Sequence, residues 1–205
     1  MKKFSSLIIL SVILFTSNVS TAQVYEKGNF VLDAYYGFPN LLSGLVKTSA
    51  NIYQNSKVST FGPVGIAAEF LLGQKVGLGI EATYMSIDAK YSNVYYGNNN
   101  NGTYYDYEDK YTRMRILPRV NFHFGNNDKF DPYLTVGVGY ANFKEKHTSS
   151  QPDYVGNGFL SFTTPGNLAT RVGFGVRYFF TDHIGFMAEA GIGGPLVRVG
   201  LTAKF

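Results

Sequence analysis

Six arginines and four acidic residues carry most of the chemistry available to this sequence, and their spacing is regular. Arg113, Arg115, Arg119, Arg171, Arg177 and Arg198 each sit in a run where apolar residues alternate, and Asp33, Glu69, Glu81 and Glu189 have apolar neighbours on both sides. Successive side chains of a β-strand point to opposite faces. Counted that way, Arg113, Arg115 and Arg119 share a face with Leu117, Asn121 and His123, opposite Met114, Ile116, Pro118, Val120 and Phe122. Arg171 and Arg177 lie opposite Val172, Phe174, Val176 and Tyr178, and Arg198 lies opposite Val197, Val199 and Leu201. The mature lysines instead fall in turns, loops or strand ends. A guanidinium is a planar fork of donors that holds carboxylates away from bulk water better than an ammonium does. The expected chemistry is an ionic network gathered on one face of a sheet.

Other arrangements with chemical potential are weaker. Gly77-Leu78-Gly79-Ile80-Glu81-Ala82 fits a dinucleotide-binding pattern by letter, but that pattern needs a following helix to meet the pyrophosphate. Thr83-Tyr84-Met85-Ser86-Ile87 reads as strand, so no cofactor is expected. His123, His147 and His183 are far apart and offer no ligand pair at metal-binding spacing, so no metal site is expected. His147-Thr148-Ser149 invites comparison with a His–Ser lipid hydrolase, but no Glu follows until Glu189, and no catalytic residue is assigned. The stretch from Ala89 to Lys110 is rich in Tyr, Asn and acidic residues. Tyr95, Tyr96, Tyr104, Tyr105 and Tyr107 would give a binding loop rigid, amphipathic contact area, and Asp106, Glu108 and Asp109 offer oxygens to a weakly held calcium ion. The plainer reading is a long loop whose tyrosines mark a membrane boundary.

These residues need elements to position them. After Gln23 no helical period of any length appears. Eight alternating segments do, at about Asn29–Gly37, Thr60–Leu72, Val76–Asp88, Tyr111–Phe124, Pro132–Phe143, Leu168–Phe180, His183–Gly193 and Leu196–Phe205. Tight turns at Gly73-Gln74-Lys75, Gly125–Asp128 and Thr181-Asp182 alternate with long polar connections over Phe38–Ser59, Ala89–Lys110 and Lys144–Asn167. Only Gly194-Pro195 is short where a long loop is expected.

Composition agrees. The chain has 205 residues, 45% hydrophobic, 16% aromatic and only 16% charged, with 23 Gly and no Cys. Mean hydropathy of −0.05 excludes a helical membrane bundle, and the aromatic content excludes a disordered chain. Without cysteine there is no disulfide, thiolate site or cysteine nucleophile. Met1-Lys2-Lys3, the apolar run Leu7–Phe15 and the small residues Ser20-Thr21-Ala22 form a signal peptide pattern, so residues 1–22 are expected to be cleaved before Gln23. Loss of Lys2 and Lys3 takes Lys+Arg from 18 to 16 against 14 Asp+Glu, a net charge near +2, and no nucleic-acid partner is expected.

Gly77, Gly79, Gly137, Gly139, Gly173, Gly175, Gly191 and Gly200 share the arginine face. A soluble sandwich would turn that face to water, where Lys and Arg mix. A narrow barrel would turn it inward, where small residues make room for large ones. The inward reading fits, with lipid outside and a lumen plugged by paired charges.

An exported chain with eight alternating strands, Gly-rich inward positions and a carboxy-terminal Phe resembles the small outer-membrane β-barrel family, the group of the OmpA transmembrane domain and OmpX within the porin-like proteins. The resemblance covers nearly all of residues 23–205 and implies an eight-stranded antiparallel up-and-down transmembrane β-barrel in the outer membrane. It also implies that Phe205, with Ala203 and Leu201, is read by the barrel-assembly machinery. Larger members continue into a periplasmic peptidoglycan-binding domain. This chain stops at Phe205, so tethering of that kind is not expected. The favoured role is structural or surface-interacting, through long extracellular loops and an extracellular ligand. The alternatives are a narrow channel for small solutes and a lipid-modifying enzyme.

Overall fold

The computed structural model describes residues 25–96, 102–125, 127–152 and 167–205. The signal peptide expected over residues 1–22 lies outside them. Eight strands follow in order: β1 (Phe30–Phe38), β2 (Gln54–Leu71), β3 (Val76–Tyr96), β4 (Gly102–His123), β5 (Phe130–Ser149), β6 (Leu168–Phe179), β7 (Ile184–Ile192) and β8 (Val197–Lys204). Each pairs antiparallel with the next, and β8 pairs with β1 from Val31↔Lys204 to Phe38↔Val197, closing the barrel. Closure leaves no strand edge unpaired, which is what a sheet crossing hydrocarbon requires.

Burial is inverted relative to a soluble protein. Arg171, Arg177 and Arg198 head the largest fully buried side chains, while Phe30, Leu32, Ile66, Leu78, Ile80, Phe122, Phe174, Phe186 and Leu201 are exposed. β1, with its strict exposed–buried alternation, puts Val31, Asp33 and Tyr35 inside and Phe30, Leu32 and Tyr36 outside. The outer surface of β3 is apolar from Val76 to Tyr84. At ~3.3 Å per residue and a ~40° tilt this stretch covers roughly 20 Å, most of the ~25 Å apolar band of such barrels. Beyond it the outer surface turns polar, with Asp88 facing Lys110 and Lys90 facing Glu108 across the β3–β4 pair, each ion pair at 3.4 Å.

Two expectations are corrected. The stretches Ala89–Lys110 and Lys144–Asn167 are not loops along their whole length. β3 and β4 stay paired from Val76↔Phe122 to Tyr96↔Gly102, and β5 continues to Ser149 alongside β4. Above the lipid, outward positions no longer need apolar side chains, so the alternation that marks a membrane strand fades while the hydrogen-bonded ladder continues. Helix is present too: α1 (Leu41–Ala50) lies between β1 and β2, begun by Asn40, whose side chain accepts from the Ser43 N–H at 3.0 Å. One face of α1 buries Val46 against Met85, Ile87, Ala89 and Tyr111, with Leu42, Val58 and Phe143 packed around them. The helix therefore caps the lumen where its lining becomes apolar.

Inside, large side chains face small ones directly across the ladder. Tyr35 pairs with Gly65, and Tyr133 with Gly175. A Cβ at either glycine would strike the facing tyrosine ring. Gly175→Val is therefore expected to displace the Tyr133 ring and lower barrel stability by about 1–3 kcal/mol, read by guanidinium unfolding in detergent micelles. The same substitution in a Tyr133→Ala background should cost clearly less. An equal loss in both backgrounds would show that the crowding lies elsewhere.

Candidate functional site

Every strand contributes a polar side chain to the middle of the lumen: Asp33 from β1, Glu69 from β2, Glu81 from β3, Arg119 from β4, Asp131 and Tyr133 from β5, Arg171 and Arg177 from β6, Glu189 from β7 and Arg198 from β8. Their bonds cross the lumen instead of joining only neighbouring strands. Arg177 on β6 reaches Asp33 on β1 and Glu69 on β2, both at 2.8 Å from Nη2, and Asp131 at 3.5 Å from Nη1. Arg119 on β4 joins Asp33 at 3.1 Å and Glu81 at 3.3 Å. Arg198 on β8 joins Glu81 on β3 and Glu189 on β7, both at 2.6 Å. Arg171 donates from Nε to Glu189 at 2.9 Å and from Nη1 to the Pro195 carbonyl at 2.5 Å.

Several partners went unrecognised in the sequence. Asp131, placed just outside its strand by the sequence reading, is fully buried and faces Nδ1 of His123 at 3.0 Å. Nε2 of His123 meets Glu69 at 2.7 Å, so one imidazole bridges two carboxylates. Asn121 donates to Glu69 at 2.6 Å, and the Tyr133 hydroxyl donates to Glu189 at 3.0 Å. Tyr133 and Tyr35 also lay their rings against the Arg177 and Arg198 guanidiniums, at 4.5 and 4.6 Å. Tyr25, which precedes β1, folds into the lumen to receive an N–H from Arg177 at 3.2 Å. It packs there with Val31, Leu71 and Phe179, forming an apolar floor beneath the charges. For His123 and Asp131 the available signal was parity: both continue the inward series of their strands.

Arg113 and Arg115 depart from the expected network. Neither makes an ion pair among the described residues. They lie nearer the outer end of β4, opposite Met85 and Thr83, one level above the Glu81 layer. Arg115 is only 3% exposed, and its Nη2 donates to the carbonyls of Thr170, at 2.9 Å, and Gly193. Both line the lumen, but the carboxylates stand at a lower level of the barrel.

The Tyr-rich segment belongs to the β3–β4 ladder. The backbones of Tyr95 and Tyr96 pair with Thr103 and Gly102, and Tyr104, Tyr105 and Tyr107 lie on β4. Tyr104 and Tyr107 have different surroundings. Tyr104 is exposed and accepts from Gln54 at 3.3 Å, whereas Tyr107 stacks on Tyr91 at 5.4 Å and donates to Gln151 at 2.8 Å. The acids that the sequence offers to calcium have separate partners. Asp106 accepts from Ser92 at 2.8 Å and Glu108 pairs with Lys90. Asp109 accepts from Tyr91 at 3.1 Å and contacts Nδ1 of His147 at 2.8 Å. His147 also contacts Glu145 at 3.5 Å. Among the described residues no group of His, Asp or Glu is arranged to hold a metal ion. At the other end of the barrel Phe205 completes the seam, exchanging backbone hydrogen bonds with Phe30 at 2.8 and 2.9 Å, and Leu201 and Phe205 are exposed on the outer surface.

The density of crossing bonds makes the charge core hard to edit one residue at a time. Arg177→Met would leave Asp33, Glu69 and Asp131 facing one another and is expected to lower stability by about 3–5 kcal/mol in urea unfolding from lipid vesicles. Lys90→Ala, which breaks an exposed pair, should change stability by less than about 1 kcal/mol. Comparable losses from the two would remove the special standing of the lumen charges.

Comparison with known proteins follows the architecture. A family model for the outer membrane protein beta-barrel domain matches residues 8–194. No curated protein matches the sequence. Among solved structures, the chain is similar to the N-terminal β-barrel domain of Pseudomonas aeruginosa OprF, with 12% identity, 88% of this chain and 100% of that one covered, and a TM-score of 0.42. It is similar to OprG of the same organism, with 14% identity, coverage of 90% and 99%, and a TM-score of 0.41. It is also similar to Ail, the attachment invasion locus protein of Yersinia pestis, with 10% identity, coverage of 88% and 100%, and a TM-score of 0.38. With a closed eight-stranded barrel that is apolar outside and ionic within, and with the family model covering most of its length, the chain belongs to the outer membrane protein β-barrel domain family and resides in the outer membrane.

Proposed function

We propose that this barrel acts as a surface-interaction protein and conducts no steady flux of solute. The observation that carries the reading is the pairing of β3 and β4 as far as Tyr96↔Gly102, far above the apolar band, with β5 following to Ser149. A sheet continued into water is a costly way to connect two strands unless its surface is used. Its outward side presents Lys90, Glu108, Lys110 and Tyr104, and its inner side is braced by the Tyr91–Tyr107 stack and the Asp109–His147 contact. Such a rigid, amphipathic wall suits recognition of an extracellular partner.

The lumen supports the same reading. Ion pairs joining β6 to β1 and β2, β4 to β1, and β8 to β3 obstruct the path a solute would follow. A plugged barrel leaves its ends as the working surfaces. No catalytic residue is proposed. Phe205, Ala203 and Leu201, on the strand that closes the barrel, are proposed as the feature read by the barrel-assembly machinery.

Two measurements test the proposal. Purified protein in planar bilayers is expected to give no sustained conductance; a stable open level would favour the narrow-channel reading. Replacing the segment between Ala89 and Lys110 by a short turn should leave heat-modifiable gel mobility intact while abolishing attachment of expressing cells to a protein-coated surface. Undiminished attachment after that deletion would reject the raised hairpin as the recognition surface.

A further inference from the structure

The two arginines outside the ionic core share a cavity. It measures about 300 Å³ and lies above the Glu81 layer, between the end of β1, the first turn of α1, the start of β6 and the short β7–β8 connection. Arg113, Arg115 and Thr83 form its polar side, Leu42, Met85 and Ala169 part of its apolar side, and Leu168 stands at its rim. No Asp or Glu lines it among the described residues. Glu81, on the level below, is already shared between Arg119 and Arg198.

Arg115 is the informative residue. Its Nη2 is fixed by the Thr170 and Gly193 carbonyls, which orient the guanidinium, while Nε and Nη1 are buried with no acceptor among the described residues. A guanidinium keeps its charge at any physiological pH, so it cannot relieve this by losing a proton. Buried cations ordinarily have counter-charges, and the four arginines below all do. Here a second guanidinium, the half-buried Arg113, lines the same cavity. Two cations with no ion-pair partner among the described residues, unused donors and an adjoining apolar wall make a preformed receptor for an anion carried on a small apolar body.

We infer that this cavity binds a small amphiphilic oxyanion, a carboxylate or phosphate ester of about the size of benzoate or phenyl phosphate, with the anionic group on Arg115 and Arg113 and the apolar part against Leu42, Met85 and Ala169. The volume falls at the low end of the ~300–1,000 Å³ usual for small-molecule sites. The oxyanion has two sources: a solute entering from outside, and the phosphate of a membrane lipid at the rim, where Leu168 is exposed to the bilayer side. The site lies above the ionic core and stands whether or not the raised hairpin has a partner.

The test uses the whole barrel refolded in an uncharged maltoside detergent, at constant ionic strength. Benzoate and phenyl phosphate should raise the unfolding temperature of the native protein saturably, and the neutral analogue benzamide should not. Arg115→Leu should lose this response and, freed of an uncompensated buried charge, should be at least as stable as the native protein without ligand. Arg113→Gln, a change at a half-buried position, should raise the half-saturating concentration by about tenfold or more, and it carries the test alone should Arg115→Leu not fold. Repeating the benzoate titration in vesicles separates the sources. Equal responses in neutral phosphatidylcholine vesicles and in vesicles containing phosphatidylglycerol assign the site to a solute, and a response suppressed by phosphatidylglycerol assigns it to lipid phosphate. The inference is overturned if benzamide acts as benzoate does, if neither anion acts saturably, or if the Arg113 variant titrates like the native protein.

Discussion

The barrel depends on one constraint: a charge taken out of water must be given a partner, and here the only place for it is inward. Lipid covers the outer surface, where an ionised side chain near mid-bilayer costs about 2–4 kcal/mol for Arg or Lys. An eight-stranded lumen has room for little besides side chains. Arg177 meets both conditions together. It is wholly buried, and its guanidinium ties β6 to carboxylates on β1, β2 and β5. The remaining features of the lumen follow from its needs. Glycines leave room for Tyr133 and Tyr35, whose rings cover the guanidiniums, and His123 holds together Glu69 and Asp131, which would otherwise repel each other.

How far this was legible in the sequence depends on which physical rule wrote each part. Parity across a membrane strand is enforced at every residue, so the eight strands, the arginine face and its glycines were all readable. Height along the barrel is not written in parity. It is set by register between strands, and for that reason Arg113 and Arg115 were grouped with carboxylates that stand a level below. Asp131 was missed because it precedes Pro132, where a strand start looked natural, although the β5–β6 ladder begins at Phe130↔Tyr178. The upper parts of β3, β4 and β5 were hidden for another reason. Once the lipid ends, residues such as Asp88 and Lys90 occupy outward positions that a membrane strand would fill with Leu or Phe.

Helix α1 follows from the same change of surroundings. Met85, Ile87, Ala89 and Tyr111 point into the lumen above the charges, and their strands there stand in water on the outside. An apolar lumen lining needs an apolar cover, and the β1–β2 connection supplies one through Val46, with Leu42 alongside. Leu42, Val46 and Ala50 recur every four residues, a helical stripe too brief to register against strands on either side. Ser43, hydrogen-bonded to Thr60 at 2.6 Å, ties the helix to β2 as well.

The lumen is thus stratified, and the strata differ in charge balance. In the lower charged layers five carboxylates (Asp33, Glu69, Glu81, Asp131, Glu189) face four guanidiniums (Arg119, Arg171, Arg177, Arg198), and His123, when protonated, supplies the fifth cation. Within that stratum every guanidinium has a carboxylate partner. The stratum above holds Arg113 and Arg115 with carbonyl oxygens and, among the described residues, no carboxylate. Had stability alone set the sequence, Leu or Met at position 115 would pack there without an uncompensated charge. The tall wall of β3, β4 and β5 stands on one side of this stratum, and the short β7–β8 connection lies on the other. Unmatched positive charge therefore sits directly above a layer of paired charges, and the proposed anion site lies at that boundary.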